Sequence, residues 1–141
     1  MSSRLSDSFD FIAQLIGKDL YARLPIYNPK VDYIGPEAWT EIKALKPIAD
    51  LARRSWGIDL NMAGFVHDFL YSVGGDGAAR LRADTAFLTM MNFLIEQQSS
   101  KVWGVGRIQR NLARAYADRL YSLVRENGTS FFRYDEGAKK C

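Results

Sequence analysis

The sequence predicts an all-α fold: one small helical domain in which two antiparallel central helices carry the candidate site. Apolar residues recur at spacings of three and four along several segments, which is the period of an amphipathic helix. Neither an alternating strand pattern nor an internal repeat interrupts them. A chain of 141 residues with a hydrophobic share of 48% suits one core. We therefore expect a single domain over 1–141, with the motifs between about 33 and 98.

The N-terminal third combines a helix, a loop and a second helix. Helical spacing predicts a first helix over 8–16, and Gly17 should end it. Two prolines and a terminal glycine over 24–35 indicate an extended loop. Proline is tolerated in a first helical turn, so Pro36 should open a helix that reaches Leu51. Pro47 should kink that helix.

Three further helices are predicted in the rest of the chain, over 62–73, 78–98 and 107–126. The glycine-rich turn at 74–77 is short, so the helices on either side of it should be antiparallel neighbours. This helical hairpin is the centre of the predicted fold.

Composition limits the class of protein. The chain has one cysteine, Cys141, so no internal disulfide forms and a small disulfide-stabilised secreted scaffold is excluded. We see no signal peptide and no apolar run long enough to span a bilayer, so we expect a cytoplasmic protein, with export by another route left open. The net charge of +3 favours anionic surfaces without identifying one.

A carboxylate in the middle of an apolar helix face is the first sign of chemistry. The face consists of Leu81, Asp84, Leu88, Met91 and Ile95. A buried carboxylate needs a polar companion, and His67, the one histidine of the chain, lies on the preceding helix. We expect Asp84 to hold Nδ1 of His67 and to leave Nε2 free to take a proton from water.

Other polar residues share the helix of His67. Tyr71, one turn further on, is placed to give its hydroxyl to Asp84. Asp68 is not needed to orient His67, and its carboxylate together with loop carbonyls suits a hard cation such as calcium. Gly64 indicates that another helix or a ligand approaches this helix closely.

These residues resemble a known family. The string His-Asp-Phe-Leu-Tyr at 67–71, followed by Ala-Asp-Thr-Ala-Phe at 83–87, is similar to the two motif helices of the phospholipase A2 superfamily, including its disulfide-poor bacterial and viral branches. Tyr-Ile-Gly-Pro at 33–36 is similar to the calcium loop of that family.

The resemblance implies calcium-dependent hydrolysis of a phospholipid ester. By this resemblance His67 activates water, while Asp84 and Tyr71 orient the histidine. The implied ligands of Ca²⁺ are the carboxylate of Asp68 and the backbone carbonyls of Tyr33 and Gly35, and the Gly35 amide would face the developing oxyanion.

Another class of function stays open: a catalytically silent interaction or structural module on the same scaffold, of which a phage-associated component would be one form. In that interpretation His67 is a structural histidine with both ring nitrogens satisfied. Glu37, which stands where the family has a second loop glycine, and the long connection from Gly35 to His67 favour this alternative.

Two surface features have simple interpretations. Tryptophans of small helical domains usually pack in the core, so we expect Trp39, Trp56 and Trp103 there rather than in a collar for lipid. The arginines of the last predicted helix fit a solvated face better than a nucleic-acid site, because no nucleic-acid-binding motif accompanies them. They are Arg107, Arg110, Arg114, Arg119 and Arg125.

Overall fold

The structure, a computed structural model, describes residues 2–34, 51–130 and 132–133. Its α-helices are α1 Ser2–Ile16, α2 Lys18–Ala22, α3 Asn61–Val73, α4 Gly77–Gln98 and α5 Val105–Asn127. A π-helical turn, Ala52–Trp56, precedes α3, and a 3-10 turn, Gly128–Ser130, follows α5. The predicted all-α class is confirmed. None of these helices is long and apolar enough to cross a membrane.

The N-terminal elements differ in detail from the prediction. Helix α1 begins at Ser2 rather than at residue 8, because the preceding residues contain no helix breaker. It ends before Gly17, whose φ of 89° lies in the left-handed region, and the short helix α2, which the sequence pattern did not indicate, follows. Residues 24–34 form the expected loop. Most of the helix predicted from Pro36, including Pro47, lies outside the described residues.

Helix α4 is the centre of the fold. It packs against both α3 and α5, and α1 also contacts it. Asp76 caps α4 by accepting a hydrogen bond from the Ala79 amide at 2.8 Å, so the turn after α3 reverses the chain immediately. The predicted antiparallel pair is thus α3 and α4. The side chains most completely buried in this core are Ile12, Val66, Met90, Met91, Leu94, Ile95, Leu120 and Leu123.

Two apolar residues lie outside the core, against expectation. Leu81 is exposed, because the first turns of α4 bury a different face of the helix, which carries Ala83, Asp84 and Phe87. Trp103 is 82% exposed in the loop between α4 and α5, so the prediction that it packs in the core was wrong. Trp56 does pack against the core, and Trp39 lies outside the described residues.

Candidate active site

His67 and Asp84 meet where α3 and α4 face each other. Nε2 of His67 lies 2.8 Å from Oδ1 of Asp84, and the two residues are 5% and 0% exposed. The predicted pairing of these residues is confirmed. The choice of ring nitrogen was wrong, because Nε2 rather than Nδ1 faces the carboxylate.

The protonation of Asp84 decides which nitrogen of His67 is basic. Burial by itself raises the pKa of Asp84, but hydrogen bonds from His67, Tyr71 and Arg125 outweigh burial and hold this pKa below its ordinary value. The ionised carboxylate accepts hydrogen bonds and has none to give, so Nε2 carries the proton. Nδ1 of the neutral ring then keeps its lone pair, and no group in the described part of the chain hydrogen-bonds it.

Tyr71 completes one side of this arrangement. Its hydroxyl donates to Oδ1 of Asp84 at 2.6 Å, as the sequence predicted. Burial, and then the hydrogen bond to Asp84, raise the pKa of Tyr71, so the hydroxyl stays protonated and remains a donor. The His67 ring lies between Tyr71 and Phe87, with ring centroids 4.1 and 4.6 Å away. Both contacts restrict rotation of the imidazole.

Two arginines that the sequence reasoning missed neutralise Asp84. Nη1 of Arg125 donates to Oδ2 of Asp84 at 2.6 Å, and Nε of Arg80 lies 3.9 Å from the same oxygen. Arg80 stands four residues before Asp84 on α4, and this spacing is a signal that could have identified it. Arg125 comes from α5, far along the chain, and no local pattern marks it. Each oxygen of the carboxylate therefore has its own partners.

Arg80 also ties the site to the end of α5. Its Nη2 donates to the carbonyls of Val124 at 2.9 Å and Arg125 at 2.7 Å. These carbonyls belong to the last turn of α5, and the Val124 carbonyl also accepts from the Gly128 amide that caps the helix. A cation at this end also interacts favourably with the helix dipole. Arg80 thus holds in place the turn that carries Arg125.

The loop of residues 24–34 lies directly on α3. A Cβ atom on Gly64 would come within 2.6 Å of the Tyr33 carbonyl oxygen, so a close approach does occur at Gly64, but this loop makes it rather than the predicted helix or ligand. Residues three and four apart share a helix face, so Gly64, His67 and Asp68 are neighbours on α3. Of the residues that the resemblance implies for calcium, Tyr33 and Asp68 therefore lie at one face. Gly35 lies outside the described residues.

Asn61, which sequence reasoning did not single out, binds this loop to α3. Its side-chain Oδ1 accepts from the Tyr33 amide at 2.8 Å, and its Nδ2 donates to the Val31 carbonyl at 2.7 Å and to the Tyr27 hydroxyl at 3.2 Å. The rings of Tyr27 and Tyr33 both pack edge-on against Phe65. One amide side chain and one aromatic cluster therefore fix the position of the loop.

Removing the amide in Asn61→Ala should loosen the loop while the helical hairpin stays folded. Asn61 makes three hydrogen bonds to the loop, and each contributes about 1 kcal/mol. We therefore expect trypsin to cut after Lys30 on the order of a hundredfold faster, because cleavage follows local opening. Mass spectrometry of timed digests measures this rate. Asn28→Ala is the matched control, since the Asn28 side chain accepts a hydrogen bond within the loop itself, from Lys30. Equal cleavage rates in Asn61→Ala and the parent would contradict this role.

Asp68 faces a negative environment. Its side chain reaches solvent, yet partial burial of the carboxyl group and then the charge of Asp32 raise the pKa of Asp68 to about 6. Among the described residues, no three histidine, cysteine or acidic side chains converge on a point that could hold a metal. A cation at Asp68 would therefore need backbone carbonyl ligands as well, and Tyr33 offers one at the same helix face.

No protein-family model, curated protein or solved structure matches this chain. The arrangement can supply a general base: an oriented imidazole, one nitrogen of which has no hydrogen-bond partner among the described residues, beside a loop with backbone oxygen atoms.

Proposed function

We propose that this chain is a calcium-dependent phospholipid hydrolase of the phospholipase A2 type, acting on a carboxylic ester. The observation that supports this most is the orientation of His67, whose Nε2 bonds the ionised Asp84 and whose Nδ1 is left without a partner in the described residues. A purely structural histidine would have both nitrogens satisfied. The packing of the Tyr33 loop beside Asp68 supports the calcium dependence.

In this mechanism Nδ1 of His67 takes a proton from a water molecule as the water oxygen attacks the ester carbonyl carbon. Asp84 accepts the Nε2 hydrogen bond throughout and stabilises the positive imidazolium. The tetrahedral intermediate then expels the alcohol oxygen, which receives the same proton back from Nδ1. The products are a free fatty acid and a lysophospholipid, and no acyl group is attached to the protein.

The residues at the loop fit a calcium ion as far as they are described. The carboxylate of Asp68 and the carbonyl of Tyr33 would hold the ion, with Gly35 as a further ligand by the resemblance. When bound, calcium would polarise the ester carbonyl and stabilise the negative charge of the intermediate. The negative charges of Asp32 and Asp68 repel each other when no ion is bound, and a divalent cation would offset this repulsion.

A catalytically silent module is the second candidate, and the two arginines favour it. Arg80 and Arg125 already compensate the charge of Asp84, as a buried structural ion pair requires. A carboxylate neutralised in this way stabilises an imidazolium less than an unpaired one would. The two candidates differ in whether calcium binds and whether an ester is cleaved.

Calcium should raise the thermal stability of the parent protein, because a ligand that binds only the folded state stabilises it by about 2.7 kcal/mol at a hundredfold excess over Kd. Thermal melts near neutral pH with EDTA, magnesium or calcium measure this effect. Asp68→Asn should lose the calcium response. In EDTA the same variant should be at least as stable as the parent, since Asp68 has a raised folded-state pKa and its ionisation therefore opposes folding.

Asp118→Asn is the matched control, because Asp118 is an exposed acid on α5 away from the loop and should respond to calcium as the parent does. Release of fatty acid from a phospholipid is measured on the same samples. Absence of both a calcium shift and fatty acid release would favour the silent module.

A further inference from the structure

The chain after α5 turns back to the end of α3 and lies against it. We call the described residues from 128 to 133 the C-terminal clamp. The Arg133 amide donates a hydrogen bond to the Tyr71 carbonyl at 3.1 Å, and the Gly75 amide donates to the Arg133 carbonyl at 2.9 Å. A Cβ atom on Gly74 would overlap the backbone of Arg133, so the turn after α3 must lack a side chain at this position. The backbone of the clamp is thus fastened to that of Tyr71.

Phe132 is the apolar anchor of the C-terminal clamp. It is 5% exposed and forms a small hydrophobic cluster with Tyr71 and Ala83. Its ring stands edge-on to the ring of Tyr71, with the ring centroids 5.1 Å apart and an angle of 87° between the planes. Aromatic pairs favour this geometry, because the positive edge of one ring meets the negative face of the other. The Tyr71 ring therefore contacts Phe132 as well as His67.

Gly128, the first residue of the C-terminal clamp, lies beside the Tyr71 hydroxyl. A Cβ atom on Gly128 would overlap the hydroxyl oxygen. Its φ of −72° is ordinary for any residue, so space rather than backbone conformation requires the glycine. The same hydroxyl donates to Oδ1 of Asp84 at 2.6 Å, and this oxygen also faces Nε2 of His67. Gly128 therefore leaves the room in which Tyr71 makes its hydrogen bond.

We propose that the C-terminal clamp positions the hydroxyl of Tyr71 on Asp84, and through Asp84 the imidazole of His67. Gly128 and Phe132 are then positioning residues of the site, because they act through Tyr71. A site keeps its geometry when packing and hydrogen bonds behind it lock the side chains that form it. The effect of the clamp on hydrolysis rests on the proposed function, whereas its effect on the orientation of His67 does not.

Gly128→Ala tests this role with the smallest chemical change, since its methyl group should displace the Tyr71 hydroxyl from Asp84. His67 is the one histidine, so its imidazole gives a single set of ¹H–¹⁵N NMR signals. At one fixed pH the Nε2 proton signal should shift or broaden. Phospholipid hydrolysis should fall on the order of tenfold with KM unchanged, as for one lost hydrogen bond to a charged group. Gly77→Ala is the matched control: a Cβ atom there meets nothing within 4 Å, so signal and rate should stay unchanged.

Two further variants show whether the clamp acts through the hydroxyl. Tyr71→Phe removes the atom that the methyl group of Gly128→Ala would overlap. Adding Gly128→Ala to Tyr71→Phe should therefore change the His67 signal and the free energy of unfolding little, so the two effects should not add. Phe132→Leu keeps most of the buried apolar volume but loses the ring that meets Tyr71, and it should shift the His67 signal less than Gly128→Ala does.

The outcomes separate the clamp from the proposed function. A His67 signal in Gly128→Ala identical to that of the parent would overturn the inference. Equal effects of Gly128→Ala in the parent and in Tyr71→Phe would also overturn it, because the methyl group would then act elsewhere than on the hydroxyl. A shifted His67 signal in a protein whose parent hydrolyses no phospholipid would support the role of the clamp and count against the proposed function alone.

Discussion

His67→Gln should lower phospholipid hydrolysis by about 10²- to 10⁴-fold, the contribution of a positioned general base. Glutamine fills similar space and can still donate a hydrogen bond toward Asp84, but its amide takes no proton from water near neutral pH. Initial rates of fatty acid release at saturating calcium measure the loss. The calcium-induced rise in melting temperature should persist in this variant, because Asp68 and the Tyr33 loop are intact.

Asp68→Asn provides the comparison for this variant, since it should lose calcium binding and activity together. A His67→Gln protein that hydrolyses phospholipid as fast as the parent would show that the base is another group. If hydrolysis and the calcium response disappear together in His67→Gln, the ring also supports the loop, and its assignment to catalysis alone would be wrong.

The largest effect on stability is expected for Asp84→Asn. The carboxylate is fully buried, and its removal takes away the counter-ion of Arg125, a change that typically costs 3–5 kcal/mol. We expect about 3 kcal/mol, because Arg125 is partly exposed and can turn to water. The remaining folded protein should bind calcium and hydrolyse slowly, since the group that orients His67 is weakened. Urea unfolding gives the free energy.

The pH dependence of this difference follows from the lowered pKa of Asp84 in the folded state. The stability that its ionised form contributes is present above the unfolded-state pKa, about 3.9, and is lost as the pH falls through the lower folded-state pKa. The difference in free energy of unfolding between the parent and Asp84→Asn should therefore be largest near neutral pH and should become smaller below about pH 4. A gap that does not change with pH would mean that Asp84 is not ionised in the folded protein.

A second variant separates charge from shape. Adding Arg125→Met to Asp84→Asn removes the cation that lies closest to the missing carboxylate. The double variant should therefore recover part of the free energy of unfolding that Asp84→Asn loses. The two residues are in contact, so their effects should not add. Additive losses would argue against a direct ion pair.

The polar centre of the site could be predicted because local patterns marked it. Asp84 interrupts an apolar stripe, His67 is the one histidine, and Tyr71 follows it by one helical turn. The short turn after α3 then left one arrangement for the two helices. These three residues and the hairpin that joins them required no information beyond spacing and burial.

The rest of the network depends on tertiary packing. An arginine on a helix usually indicates a solvated position, so Arg125 gave no sign that it neutralises a buried acid, and Arg80 was marked only by its spacing of four residues from Asp84. The orientation of the His67 ring depends on side-chain rotation and on what packs against it, here Tyr71 and Phe87, which spacing along the chain does not encode. Trp103 is exposed because the loop between α4 and α5 directs it outward, against the usual preference of tryptophan.

The link from Arg80 to the last turn of α5 has a consequence for how the chain acquires its structure during synthesis. When a ribosome has released only the hairpin of α3 and α4, Arg125 has not yet reached Asp84, and the acid cannot be buried with its full set of partners. The hairpin alone should therefore open readily, and the arrival of α5 should lock it. Assembly of the site and docking of α5 thus become one cooperative event, so a nascent chain gains the lasting pairing of His67 with Asp84 only once α5 has formed.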